Sequence, residues 1–347
     1  MEKLNFSEIV KVDGKAFTKQ FIESLRYEER EAYVEPLFVL FRSVGFLYPD
    51  DDSKLKTSYK RLCEYKPDLT MNEVFNNSSL ATDICKYFCK SFYLSKGENG
   101  STFESVFNND ELLKRLIRNR LGMDWYYDGP RIKGVNEAFN LSFRMLIQGM
   151  RSMMLVAQTS IFKPSIAKYF CERYSDVGDV VADYSCGFGG RMLGAVSCGR
   201  KYIGTDPLTV PELKTMASFL GLSGVELIQQ GSEYYCGVEN SIDLYYSSPP
   251  YYNQERYSDD VSQSYNKGED YFYNVYWKQT LNNVRYMLKS GKVFGLNVKN
   301  YPRMVEMARE VFGEEKEIVS LRTVRSHLAH KEKNGNEKFE NIYIFRK

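Results

Sequence analysis

Two rhythms of apolar and polar positions run along this chain, and one gives way to the other near residue 177. From residue 16 to about 125 the apolar residues recur at helical spacing. Phe17, Phe21, Ile22 and Leu25, then Leu37, Leu40, Phe41 and Val44, fall on core-facing stripes. "PDDDSKLKTSYKRL" predicts a turn and then a helix capped by Asp52 or Ser53. "NSSLATDICKYFCKSFYL" predicts a further amphipathic helix with Ile84, Tyr87, Phe88 and Phe92 on its core face. Residues 95–102, "SKGENGST", read as a polar loop.

Beyond residue 177 the pattern shortens. "DVVADYS", "KYIGTDP", "GVELIQQG", "SIDLYYSS" and "KVFGLNVKN" are strand-length apolar or β-branched runs. "RMLGAVSCG", "VPELKTMASFLG" and "YFYNVYWKQTLNNVRYMLKSG" are helical stretches between them. Strands alternating with helices predict an α/β fold around a parallel sheet. "EIVSLRTVRSHL" and "ENIYIFRK" predict an antiparallel hairpin that closes the sheet. The expected organisation is a helical region over 1–125, a basic and aromatic connecting segment over 126–160, and the α/β domain over 161–347.

Composition narrows the partners. A length of 347 residues suggests about two domains. The formal net charge of +2 gives no global field for a polyanion, so a nucleic-acid partner needs a local basic surface. The seven cysteines include no CxxC pair, and the only histidines are His327 and His330, so zinc-ligand spacing is absent. Scattered cysteines fit reduced thiols in a cytosol-like compartment. No secretory leader pattern and no apolar run of membrane-spanning length occurs. The expectation is a soluble cytoplasmic protein of bacterial or phage type, with no membrane partner.

Candidate chemistry lies at two strand ends. In "DVVADYSCGFGGRMLGAVSCGRKYIGTDP" a strand leads through Gly187, Gly189 and Gly190 into a helix and a second strand. Glycines let the backbone turn sharply and approach a ligand, and the helix offers its first amides there. Asp206 ends the second strand, where an acid accepts hydrogen bonds from ribose hydroxyls. Neither GxGxxG nor a Walker lysine is present, so a nucleoside ligand without a pyrophosphate fits best. At the second strand end, "YYSSPPYY", two prolines fix the backbone and leave rigid carbonyls. Ser248 adds a side-chain acceptor and Tyr251 a flat face, a set suited to the exocyclic amino group of a planar base.

Here the chain resembles the S-adenosylmethionine-dependent DNA amino-methyltransferases, which modify cytosine N4 or adenine N6. Ser248-Pro249-Pro250-Tyr251 matches their [Asp/Asn/Ser]-Pro-Pro-[Tyr/Phe/Trp] motif, and the serine form is most typical of the N4-cytosine enzymes. Further segments agree in order over residues 160–347: "FKPSIAKYF", "DYSCGFGG", "TDP", "QQGSEYY" and "LKSGKVFGLNV". The resemblance implies a Rossmann-like class I methyltransferase fold, with seven strands and one antiparallel closing strand. It assigns Phe162, Pro164, Asp183, Ser185, Cys186, Gly187, Gly189 and Asp206 to the cofactor, with Ser232 or Glu233 at its adenine. Asp183 is expected at the methionine amino group. Ser248, Pro249, Pro250 and Tyr251 are the expected catalytic set. No metal is implied.

The target base must leave a duplex to reach such a crevice, so base flipping onto Tyr251 is expected. Residues 112–151 hold eight cations against three acids, with Trp125, Tyr126 and Tyr127 among them. Arg118 and Arg131 are the expected phosphate contacts there. The tyrosine-rich stretch 253–274 is expected to be a loop over the base, with Tyr252 and Arg256 touching the substrate. DNA is the expected polymer, ahead of RNA, as in restriction-modification systems. A catalytically silent nucleic-acid-binding module is the reading from a different class; the intact glycine loop and Ser-Pro-Pro-Tyr stand against it.

Overall fold

The computed structural model describes residues 4–69, 73–75, 79–96, 100–123, 138–156, 160–250, 252, 258–298, 301–322 and 339–347. It divides into two compact units. One comprises Met1–Asp52, Lys90–Thr159 and Gln254–Ser258; the other comprises Ser53–Cys89, Ser160–Asn253 and Asp259–Lys347.

The first unit opens on a two-residue-per-strand hairpin, β1 (Lys11–Val12) and β2 (Lys15–Ala16), paired antiparallel. Asp13 and Gly14 both have positive φ (52° and 74°), the conformation a tight hairpin turn requires. The helical run expected over 17–44 forms as three pieces, Lys19–Ser24, Tyr27–Ala32 and Val34–Val44. Side-chain caps start several helices of the unit: Thr18 accepts from the Phe21 amide, Asn109 from Leu112 and Ser142 from Met145. Phe46 centres an aromatic core, with edge contacts to Tyr93, Phe107 and Phe143 at 6.4, 5.7 and 5.3 Å.

The second unit contains one eight-stranded sheet: β3 (Glu73–Phe75), β4 (Val180–Asp183), β5 (Lys201–Thr205), β6 (Val225–Ile228), β7 (Ile242–Ser247), β8 (Leu288–Val298), β9 (Glu317–Arg322) and β10 (Phe339–Arg346). The order across the sheet is β3-β9-β10-β8-β7-β4-β5-β6. The pairs β4–β5, β5–β6, β4–β7 and β7–β8 are parallel, whereas β10 runs antiparallel to both β8 and β9. This is the mostly parallel sheet that the pattern predicts, in the Rossmann-like arrangement with one antiparallel strand that the resemblance implies. It has one strand more than predicted, because β3 adds in parallel to β9 at the edge. The helix Pro302–Phe312, which the pattern left unassigned, connects β8 to β9.

The helical region expected over 1–125 does not stay together. Residues 53–89 belong to the sheet-bearing unit, and buried contacts explain why. The Lys168 ammonium is buried and donates to the carbonyls of Leu62 (2.9 Å) and Cys63 (2.6 Å) at the end of helix Leu55–Glu64. Cys89 Sγ donates to the Phe188 carbonyl at 3.6 Å, and Phe88 packs on Phe219 at 5.2 Å. Helix Leu55–Glu64 starts after Lys54, not after a cap at Asp52 or Ser53, and no side chain caps it. The next expected helix is broken at Cys89 into Thr82–Phe88 and Ser91–Leu94, one piece in each unit.

At the edge of the sheet where β4 and β7 begin, Asp243 accepts from the Val180 amide (3.1 Å) and from Lys289 (2.8 Å). Burial raises its carboxyl, but the Lys289 and Val180 bonds prevail and hold it below the ordinary aspartate value. A depressed carboxylate stabilises the fold above its unfolded pKa, and that stability is lost as pH falls through the folded value. Asp243→Asn should therefore lower the urea unfolding midpoint at neutral pH. The two proteins should converge as pH drops to about 3.

Candidate active site

In an open parallel sheet, ligands bind beyond the C-terminal strand ends where the strand order reverses. Here that point lies between β4 and β7, because β5 and β6 extend the sheet to one side of β4 and β7 and β8 to the other. Both candidate motifs end there. Asp183 closes β4 and the glycine loop follows; Ser247 closes β7 and Ser248-Pro249-Pro250 follows.

The glycine loop is built by necessity at three positions. Gly187 and Gly189 have φ of 50° and 81°, a region that strains any side chain. A Cβ on Gly187 would meet only the Ser185 carbonyl, 3.8 Å away, so this glycine faces open space. A Cβ on Gly190 would collide with the Phe162 carbonyl oxygen, so this glycine serves helix packing. Asp206 ties the loop to β5. Its Oδ2 accepts from the Gly187 amide (3.2 Å), and its Oδ1 from the amides of Leu208 and Thr209 (both 2.9 Å). Burial pushes its carboxyl above the ordinary value despite those amides. Asp206 is half-buried, and its Oδ2 carries one donor among the described residues, which leaves a lone pair for a ligand.

Asp183 is placed differently from the expectation. It is buried, and both its oxygens are engaged. Oδ1 accepts from the Ser185 amide (3.1 Å) and the Ser247 hydroxyl (2.6 Å). Oδ2 accepts from Arg191 Nε and the Tyr202 hydroxyl, both at 2.7 Å. Arg191, itself buried, also donates to the Ser185 carbonyl and lies 5.2 Å from the Phe162 ring. A carboxylate with four donors has no free lone pair for a ligand ammonium. The geometry makes Asp183 the residue that joins β4, β5, β7 and the glycine loop.

At the far side of the crevice, Ser232 and Glu233 separate into two roles. The Ser232 hydroxyl is buried against the Thr280 hydroxyl at 2.8 Å. Glu233 is buried too; its Oε1 accepts from the Tyr271 hydroxyl (3.0 Å), while its Oε2 has no partner among the described residues. An unpaired buried carboxylate oxygen is costly unless a ligand donor meets it. Tyr276, which sequence reasoning did not single out, connects these parts. Its buried hydroxyl lies 3.5 Å from the Ser185 hydroxyl, and burial, with Glu233 and Asp206 nearby, pushes its pKa up. It sits in the wide helical turn Tyr271–Trp277, which opens the stretch expected to be helical and overlaps the end of the expected loop over 271–274.

All six residues of β7 are buried, whereas Ser248 is half-buried and its hydroxyl has no hydrogen-bond partner among the described residues. Pro249 is buried and Pro250 half-buried. Tyr252 packs on Phe272 at 5.4 Å, and its carbonyl accepts from the Tyr301 hydroxyl at 2.7 Å. Asn297, at the end of β8, is buried with its Oδ1 unpartnered among the described residues. Phe162 is half-buried, edge-on to Tyr246 at 5.5 Å, and Pro164 is buried as the first residue of helix Pro164–Tyr174. The Cys186 thiol is buried and, for that reason, pushed well up. Tyr251, Arg256 and Arg131 lie outside the described residues, as do Trp125, Tyr126, Tyr127 and His327.

The basic run of the first unit is largely paired where it is described. Arg118 makes a forked contact with Glu31 (3.0 and 2.6 Å), Lys114 bonds Glu35 at 2.7 Å, and Arg120 is buried. Arg118, expected at a phosphate, has its guanidinium paired with the Glu31 carboxylate. No group of three or more metal-ligating side chains occurs among the described residues.

No family model matches the chain, and no curated protein matches it. Among solved structures it is similar to the 1,6-didemethyltoxoflavin-N1-methyltransferase of Burkholderia thailandensis. That match has 15% identity and a TM-score of 0.36, and covers 53% of this chain and 77% of that one. A putative rRNA methylase from Clostridium thermocellum gives 15% identity and a TM-score of 0.35, over 55% of this chain and 100% of that one. The geranyl diphosphate C-methyltransferase of Streptomyces coelicolor gives 11% and 0.38, over 53% and 76%. Those substrates belong to those proteins; the fold here rests on the strand order above.

Proposed function

We propose that this chain is an S-adenosylmethionine-dependent methyltransferase that modifies the exocyclic amino group of a base in DNA, cytosine N4 ahead of adenine N6. One observation carries the reading. Ser248-Pro249-Pro250 leaves β7 at the switch point of the sheet, next to the strand that ends in the glycine loop, and presents there a hydroxyl with no partner among the described residues. The residues fit the cofactor on three grounds of their own. Gly187 faces open space, Asp206 is half-buried beside it, and Glu233 holds a buried oxygen with no donor among the described residues. When bound, the cofactor supplies an activated methyl group.

The protein's part is to bind and orient. An amino group on a base is a poor nucleophile because its lone pair is delocalised into the ring. The Ser248 hydroxyl and the Pro249 carbonyl accept its two N–H bonds and draw the nitrogen toward a tetrahedral geometry. The gain comes from positioning and fixed dipoles, not from a covalent intermediate. Tyr251 supplies the stacking face for the extruded base.

Glu233 gives a test of the cofactor half. Tyr271 holds Oε1, so Glu233→Gln places an amide NH2 where the orphan oxygen was. A donor then faces the adenine amino group. Binding of S-adenosylhomocysteine, measured by calorimetry, should weaken by roughly tenfold. Stability of the free protein should not fall, because a neutral amide takes the place of a buried carboxylate oxygen that has no donor among the described residues.

The whole reading is tested by incubating the protein with tritiated S-adenosylmethionine and either DNA or RNA, then identifying the modified nucleoside. N4-methylcytosine in DNA is the expected product. Label confined to adenine rejects the base preference, label confined to RNA rejects the polymer, and no label in either rejects the reading.

A further inference from the structure

Two thiols lie together on helices that lead away from the glycine loop. Helices Pro164–Tyr174 and Gly190–Ser197 approach so closely that a Cβ on Gly194 would stand 2.5 Å from the Ala167 Cβ and 2.6 Å from the Pro164 carbonyl. Gly190 meets Phe162 in the same way one turn earlier, so the two helices run parallel along a seam. Positions four apart share a helix face. One turn beyond Ala167 is Cys171, and four residues beyond Gly194 is Cys198, so the seam carries these two side chains toward each other. Cys198 Sγ reaches back along its own helix, donating to the carbonyls of Gly194 (3.3 Å) and Ala195 (3.2 Å). Arg200 fastens the same end of the seam, donating to the Cys171 carbonyl at 3.1 Å and the Cys198 carbonyl at 2.6 Å.

We propose that Cys171 and Cys198 form a reversible dithiol–disulfide site, in which Cys198 reacts with a small-molecule disulfide and Cys171 resolves the adduct. Access sets the order of events, because Cys171 is buried and Cys198 only half-buried. Electrostatics point the same way. The neighbouring Cys171 thiol and then the Arg200 charge hold the Cys198 thiol below its ordinary value, against burial and Glu172, with Lys168 assisting. Cys171, buried beside Cys198, is raised.

The chemistry balances as two exchanges. The Cys198 thiolate attacks one sulfur of the small disulfide; a mixed disulfide forms, and the other half leaves and takes a proton. Cys171 gives up its proton and attacks the Cys198 sulfur. The protein disulfide forms and the second small thiol leaves. Two protein thiols are oxidised, and one small disulfide is reduced to two thiols. Each cysteine is an ordinary unpatterned thiol in the sequence; only the glycine seam brings the pair together. The site is independent of the methyl-transfer reading.

The test uses the full chain in its native state with oxidised glutathione as the probe, followed by alkylation in denaturant and peptide mapping. Alkylatable thiols from the Cys171 and Cys198 positions should both be lost, and the two peptides should appear as one linked species that dithiothreitol separates. In Cys171→Ala, Cys198 should stop at the glutathione adduct. In Cys198→Ala, Cys171 should stay unmodified. Exposed Cys236 reports that the reagent is active. A glutathionylated Cys236 without the Cys171–Cys198 link overturns the proposal. So does a Cys63–Cys198 link, or a Cys171 that reacts in the Cys198→Ala protein.

Discussion

Replacing Arg191 with methionine is expected to destabilise the sheet-bearing unit by about 3–5 kcal/mol, read as a lower urea unfolding midpoint. Arg191 and Asp183 form a buried pair, with side chains 7% and 0% exposed. Removing the cation leaves a carboxylate in the interior with only Tyr202, Ser247 and the Ser185 amide as donors. The loss is that of an uncompensated buried charge, not of one contact. Adding Asp183→Asn should therefore recover much of the stability, because the second change removes the stranded charge. A single variant that costs less than about 1 kcal/mol would mean that water reaches the pair, and Asp183 would then be open to a ligand.

Asp183 also shows where sequence reasoning stopped. The seven predicted strands were legible because each is a short apolar or β-branched run bounded by turn residues. β3 was not, because three residues carry no period. The crevice was legible from its two punctuation marks, the glycines and the two prolines, since each restricts the backbone in a way that needs no tertiary context. What Asp183 does was not legible. Its partners come from the helix after the loop, from β5 and from β7, and only the folded chain brings Arg191, Tyr202 and Ser247 to one carboxylate. The same limit applies to Glu233 and Ser232. They are adjacent in sequence, but Thr280, from a later helix, takes the Ser232 hydroxyl, while Tyr271 takes one Glu233 oxygen and no described residue meets the other. The basic run misled for a related reason. A count of arginines and lysines does not reveal that Glu31 and Glu35, far back in the chain, already pair with two of them.

On the proposed methyl transfer, Ser248→Ala should lower kcat by on the order of 10²–10³-fold, the scale seen when one fixed polar partner of a reacting group is removed. Cofactor affinity and the unfolding midpoint should stay unchanged, because the Ser248 hydroxyl has no bond to a described residue and its removal leaves no buried partner unpaired. The neighbouring serine gives the opposite pattern. Ser247 is buried, and its hydroxyl donates to Asp183 at 2.6 Å. Ser247→Ala withdraws a donor from a buried carboxylate and should cost about 1–3 kcal/mol of stability. Its effect on turnover should come through a shifted glycine loop, so KM for the cofactor should rise along with any fall in kcat. The two variants separate a group that meets the substrate from one that holds the strand ends together. If both behave alike, losing stability and activity in parallel, Ser248 belongs to the scaffold and the amine must be held elsewhere. The orphaned Oδ1 of Asn297, buried at the end of the adjacent strand β8, is the next acceptor to remove.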